Sequence, residues 1–254
     1  MILDVTVDDL RPCDILLYHG YSTTSRLIQW FDGSVYSHSS VFNGIVVTEA
    51  VPDGVVQRSV AVSMEHTEYV DVYRLRKKGV FVGSPELPVE PVLEVIERYA
   101  ALKDRYAYEG ILLLALLCTT RRLPLPFLRG ILDSAASVIA DMLDEGRQPM
   151  ICSELVYRCF AEASPAYRPR IRGVDLKARI EKKFGTAGTF LSRSVTPADT
   201  AALDFLRLYV GARNLPSERV LPKALGEPEA DFVTPKDLKK SPDLVKIGRL
   251  IRPS

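Results

Sequence analysis

Asn43-Gly44, lying between two β-prone runs, constrains this chain more tightly than any other feature of its sequence. Both residues tolerate the positive φ of a type I′ turn, so the pair marks a two-residue hairpin loop. Such a loop fixes a register. Phe42 then pairs with Ile45, Val41 with Val46, Ser40 with Val47, Ser39 with Thr48 and His38 with Glu49. Directly opposed residues share a face of the sheet, with Cβ atoms about 4.5–5.5 Å apart. The expected hairpin therefore sets a carboxylate beside an imidazole, where it would orient the ring and favour its protonated form. Taken alone, that pair is better explained as a cross-strand ion pair on a sheet surface, which is common and contributes little.

The rest of the first third extends the β pattern. Residues 14–19 read as a short apolar strand and 22–31 as a short helix capped by a hydroxyl. Pro52-Asp53-Gly54 closes a second hairpin into a strand over 55–60, and 69–75 adds another. The expectation is an antiparallel meander of about five strands. From about residue 89 the period becomes helical, with Val92, Val95, Ile96 and Tyr99 on one face. Further helices are expected over 109–118, 128–143, 150–163 and 174–183. The strings at 195–199 and 233–237 share the pattern V-T-P-x-D. They read as generic helix starts, with Thr as N-cap, Pro at the first position and Asp in the first turn. Residues 214–232, rich in Pro, Glu and Lys, read as an extended connection. Strands first and helices after give an α+β fold. The expected division is a main domain over 1–185, with a helical insertion at about 104–146, and a helical and extended C-terminal extension over 186–254 packed on it.

Bulk properties exclude several classes. With 254 residues, 47% of them hydrophobic, the chain can bury one large core or two modest ones. A formal net charge of +1 supplies no field for nucleic acid. The cysteines, Cys13, Cys118, Cys152 and Cys159, are too few and too irregularly spaced for a disulfide framework or a zinc ribbon. Reduced thiols in a cytoplasmic setting are expected. The N-terminal stretch meets acidic residues at once and does not read as a signal peptide. The longest apolar run, 111–118, is far short of the roughly 20 residues a membrane span needs. A soluble protein is expected, without an integral span.

Two groups carry the chemical signal. His19 and His66 read as solvated turn residues. His38 stands apart because of its hairpin partner. Cys152 opens the string ICSELVY, which starts a helix whose apolar face carries Leu155, Val156, Cys159 and Phe160. In the first turn, backbone N–H groups and the helix dipole stabilise a thiolate, and the same N–H groups can meet an oxyanion. The alternative, a small buried hydrophobe, is the reading for Cys118 and Cys159 and stays open for Cys152.

The strings CDI at 13–15, SHSSVF around His38, VTEAVPDGV around Glu49 and ICSELVY around Cys152 occur in a telling order. Together they resemble the circularly permuted papain-like enzymes of the NlpC superfamily, and within it the YiiX/YaeF-like group. YAYEG at 106–110 and VTPKDLKKSPDL at 233–244 resemble that group's flanking segments. The resemblance implies a permuted papain-like α+β fold with the sheet before the catalytic helix. It maps the nucleophile on Cys152, the general base and acid on His38, and the residue that orients the histidine on Glu49. It implies a thiol hydrolase, an amidase or peptidase that cleaves an amide bond in a small peptide or isopeptide without a cofactor or metal. Tyr18, Tyr36, Asp14 and Ser153 are candidates for contacting the substrate or the oxyanion. Cys13 departs from the family, which usually has Gly there. Two other readings remain. A lipid acyltransferase or thioesterase of the lecithin–retinol acyltransferase type would let residues 111–118 line an acyl channel or make peripheral lipid contact. A silent binding module, or a metal site built from His38, Glu49 and Cys152, would involve no catalysis.

Overall fold

The computed structural model describes residues 3–51, 54–101, 105–106, 115, 128–144, 148–171, 205 and 233–252. The expected elements over 174–183, 195–199 and 214–232, and all of 109–118 except the helical Ala115, lie outside them.

The described chain is a mixed α+β structure built on an eight-stranded sheet. Its first strands are β1 (Asp4–Val5), β2 (Ile15–Gly20), β3 (His38–Phe42), β4 (Val47–Val51) and β5 (Gly54–Arg58). Then follow β6 (Thr67–Lys77) and β7 (Val80–Phe81). Helix α1 (Thr23–Asp32) links β2 to β3, and the short α2 (Val60–Ser63) links β5 to β6. Helix α3 (Glu90–Ala101) is followed by β8 (Arg105–Tyr106), α4 (Leu128–Asp144) and β9 (Gln148–Pro149), with β8 and β9 pairing apart from the main sheet. Helix α5 (Cys152–Ala161) carries the candidate nucleophile, and α6 (Pro235–Lys240) precedes β10 (Leu244–Leu250).

Local sequence explains most of these ends. Ser22 caps α1 by accepting the Ser25 N–H, and Gly33 closes it in the left-handed conformation at φ 60°. At α6, Thr234, Pro235 and Asp237 form the helix start expected of V-T-P-x-D, with a capping box. The strand order is β1-β10-β6-β2-β3-β4-β5, with β7 on the β6 edge. This departs from a simple meander. Strand β2 lies between β3 and β6, and the C-terminal β10 pairs antiparallel with β6. The sequence reading assigned no strand to 244–250. Gly248 permits the arrangement, since a Cβ there would lie 2.4 Å from the Leu3 carbonyl oxygen where β1 joins β10.

Each face of the sheet has its own core. Ile15, Leu17, Val41, Ala50, Tyr73 and Leu75 pack with Val92, Val95, Ile96 and Tyr99 of α3 and with Leu155, Val156, Cys159 and Phe160 of α5. Leu16, Tyr18, Phe42, Val47, Val70 and Val72 pack on the other face with Val60 and Met64 from the α2 segment. Strand alternation produces this division. It therefore says which side of the sheet each polar side chain belongs to.

Candidate active site

The hairpin register differs from the expected one. Val41 pairs with Thr48 and Phe42 with Val47, and the Asn43 N–H donates to the Val46 carbonyl. Asn43 sits before the turn instead of in it, and its side-chain oxygen accepts the Ile45 and Val46 N–H groups. Gly44 takes the positive φ of 107°. Continued by one pair, this ladder sets Ser40 opposite Glu49 and puts His38 two residues further on. A slip of one residue would have turned His38 to the other face, but a slip of two preserves the face. Diagonal neighbours remain within reach of long side chains.

The two side chains meet all the same. His38 Nε2 lies 2.5 Å from Glu49 Oε2, with Glu49 only 2% exposed. The other carboxylate oxygen, Oε1, is 2.9 Å from Arg58 Nε on β5. The Ser63 hydroxyl, at the end of α2, donates toward Oε2 at 3.2 Å and stands 2.7 Å from the Tyr18 hydroxyl, which is itself 2.6 Å from Ser40 Oγ. The Tyr18 ring lies against the imidazole, with centroids 4.9 Å apart. Burial alone would raise the Glu49 carboxyl, but His38, Arg58 and Ser63 outweigh it and hold it below its ordinary value. Burial and the Glu49 charge push the Tyr18 phenol up, so it stays neutral.

Cys152 is fully buried as the first residue of α5, which packs on β3 and β4. It belongs to the core on the α5 face, whereas alternation assigns His38 and Glu49 to the Tyr18 face. His38 is the first residue of β3. Cys13 shares that core with Cys159, and its N–H donates to the Phe42 carbonyl. Ser39 faces α5 with its hydroxyl fully buried and, among the described residues, without a hydrogen-bond partner.

The remaining candidates separate clearly. The Ser153 hydroxyl donates to the Val233 carbonyl at 2.6 Å and ties α5 to the C-terminal segment. The Tyr36 hydroxyl donates to Asp71 at 2.6 Å and lies 3.3 Å from that of Tyr73, on the α5 side of the sheet. Asp14 lies apart from the Tyr18–His38 pair. It precedes β2 at the end remote from the Tyr18–His38 pairing, about 13 Å along the strand. There it takes Arg74 in a buried bidentate pair, at 2.6 and 2.7 Å. Cys13 adopts φ 70°, a left-handed conformation that favours glycine. Burial, with Asp14 and Glu90 nearby, pushes its thiol up to about 12. His19 is not a free turn residue: its Nδ1 lies 2.6 Å from the Val35 carbonyl oxygen and its ring stacks on Tyr69. Arg58 and Ser63 escaped the sequence reading. A register drawn through the second hairpin would have found Arg58, since Val47 pairs with Arg58 and Glu49 with Val56.

Among the described residues, no group of three or more His, Cys, Asp and Glu side chains is gathered to hold a metal ion, so the mixed His38, Glu49 and Cys152 ligand set is not assembled. Nor is any described helix long and apolar enough to cross a membrane.

No family model matches the sequence. The chain is 29% identical over 171 residues to a protein of Escherichia coli K12 named probable lipoprotein peptidase YaeF. The match covers 64% of this chain and 59% of YaeF, less than two thirds of that relative's length. Among solved structures the chain is similar to YiiX of Escherichia coli O157:H7, described as a metalloprotein, with 16% identity and a TM-score of 0.44 over 94% of this chain and 97% of that one. The likeness to YaeF sets the chain beside the YiiX/YaeF-like group that its motifs resemble.

Proposed function

We propose that the chain is a cysteine hydrolase of permuted papain-like architecture that cleaves an amide bond in a small peptide or isopeptide. The observation that carries this reading is the part-buried His38–Glu49 pair at the first residue of β3, on which the Cys152 helix packs. The peptidase name of YaeF supports the choice of an amide substrate, by analogy.

In this mechanism Nε2–H of His38 donates to Glu49, which leaves Nδ1 to take the Cys152 proton. The thiolate adds to the carbonyl carbon, and the first-turn N–H groups of α5 receive the oxyanion, because an α-helix gives them no internal acceptor. The C–N bond then breaks, and the Nδ1 proton leaves with the amine. Water, deprotonated by Nδ1, attacks the thioester, and acid and free thiol are released. The thiol and Nδ1 have to meet round the start of β3, since their side chains belong to opposite faces of the sheet.

Mass spectrometry of the intact protein after incubation with peptide and with long-chain acyl thioesters tests the substrate. The reading expects a peptidyl adduct that trypsin mapping places on Cys152 and that is absent from Cys152→Ala. A long acyl adduct on Cys152 would replace the amide substrate with a lipid one. No adduct from either class would refute a Cys152 acyl-enzyme.

A further inference from the structure

Glu49 lies between nitrogen partners on the two strands that flank its own. Strand β4 runs between β3 and β5. On the same sheet face, Oε2 meets the His38 ring from β3 and Oε1 meets the Arg58 guanidinium from β5. Arg58 is two residues from the position facing Glu49, as His38 is on the other side. A carboxylate that offered both oxygens to the imidazole could tilt and let the ring rotate. Here each oxygen has one nitrogen partner, the ring at Oε2 and the guanidinium at Oε1, and Ser63 adds a hydrogen bond to Oε2 from α2. Among the described residues, the imidazole has Tyr18 from β2 against its ring, Glu49 from β4 at Nε2 and, beyond that carboxylate, Ser63 from α2 and Arg58 from β5.

We propose that Arg58 is a positioning residue that divides the Glu49 carboxylate between two strands, fixing the orientation of His38 and limiting how strongly the ring holds a second proton. The assignment of His38 as the catalytic base rests on the function proposed above, but the control of its protonation by Arg58 does not. The direction follows from electrostatics. A guanidinium on the far oxygen draws negative charge away from the near one, and its own positive charge disfavours the imidazolium. Without Arg58 the full carboxylate faces the ring, which then keeps its second proton to higher pH.

The chain has only three histidines, so proton–carbon NMR of the imidazoles follows each one, and His38 is assigned by the peak missing from His38→Ala. In Arg58→Gln the His38 titration midpoint should rise by roughly half to one pH unit, a three- to tenfold change in proton affinity. Arg58→Lys should restore most of the original midpoint, and His19 and His66 should not move. Ser63→Ala should shift His38 less than Arg58→Gln does. Preserved amide dispersion shows that each variant is folded. An unchanged His38 midpoint in folded Arg58→Gln overturns the proposal, as does a downward shift. The same titration in Cys152→Ala separates the two readings. An Arg58 effect that persists there supports the positioning role even if no acyl-enzyme is ever found.

Discussion

His38 and Glu49 are held 2.5 Å apart through Nε2 and Oε2 although they are not opposite one another in the β3–β4 ladder. The contact is diagonal, and it survives because the side chains share a face and are long enough to span the offset. Buried as it is, Glu49 cannot rely on water. Its charge depends on His38, Arg58 and Ser63, so loss of any of these partners changes the others.

Glu49→Gln keeps the shape and removes the charge. It should slow Cys152-dependent hydrolysis by about 10²–10⁴-fold, the range over which an orienting carboxylate acts. It should also cost roughly 1–3 kcal/mol of stability, because it weakens charged hydrogen bonds in a buried setting. Turnover together with urea denaturation at neutral pH checks both effects.

The lowered Glu49 carboxyl also sets the sign of a pH effect. Between its folded and unfolded pKa values, the unfolded chain binds the proton and the folded protein does not. Its contribution to stability is therefore complete above the unfolded value of about 4.3 and is lost as pH falls through the lower folded value. Urea midpoints measured from pH 6 down to pH 3 should fall less steeply in Glu49→Gln than in the wild type.

Asp14 and Arg74 supply structure at a distance from the proposed chemistry. Asp14→Ala leaves a buried guanidinium unpaired and should destabilise by about 3–5 kcal/mol. The rate of Cys152 alkylation in the folded variant should be unchanged. A specific loss of alkylation would return Asp14 to the site.

Cys13 tests the left-handed turn that opens β2. At φ 70°, a side chain costs about 1–2 kcal/mol relative to glycine. Cys13→Gly removes this strain but also a buried side chain, so its stability should stay within about 1 kcal/mol of wild type. Cys13→Val, β-branched in the same conformation, should fall clearly below both in thermal melts.

Much of this was legible in the sequence, and the exceptions have identifiable causes. The α3 face of Val92, Val95, Ile96 and Tyr99, the Ser22 cap and the Thr234-Pro235 helix start follow from local patterns that tertiary packing did not override. The hairpin at 43–46 was legible, but its register was not. Asn43 uses its side-chain oxygen to bond the following N–H groups, and this moves it out of the turn centre. Strand β10 was missed because its partner β6 is over 160 residues away, and nothing local to 244–250 announces that pairing. Arg58 was missed because the second hairpin was not carried through to its register, although that register pairs Val47 with Arg58. Asp14 lies at the other end of β2 from the Tyr18–His38 pairing, because nearness in sequence to Tyr18 says nothing about which end of a strand a residue occupies.

The central claim, that His38 activates Cys152, is tested most directly by the pH dependence of iodoacetamide alkylation at Cys152, read by peptide mass spectrometry in wild type and His38→Ala. The account predicts rapid stoichiometric alkylation of wild type at mildly acidic pH, where an ordinary thiol near 8.5 is almost wholly protonated. In folded His38→Ala that reactivity should be lost below neutral pH and return only as the pH approaches the ordinary thiol range. Equal alkylation rates in the two proteins at pH 5–6 would contradict it.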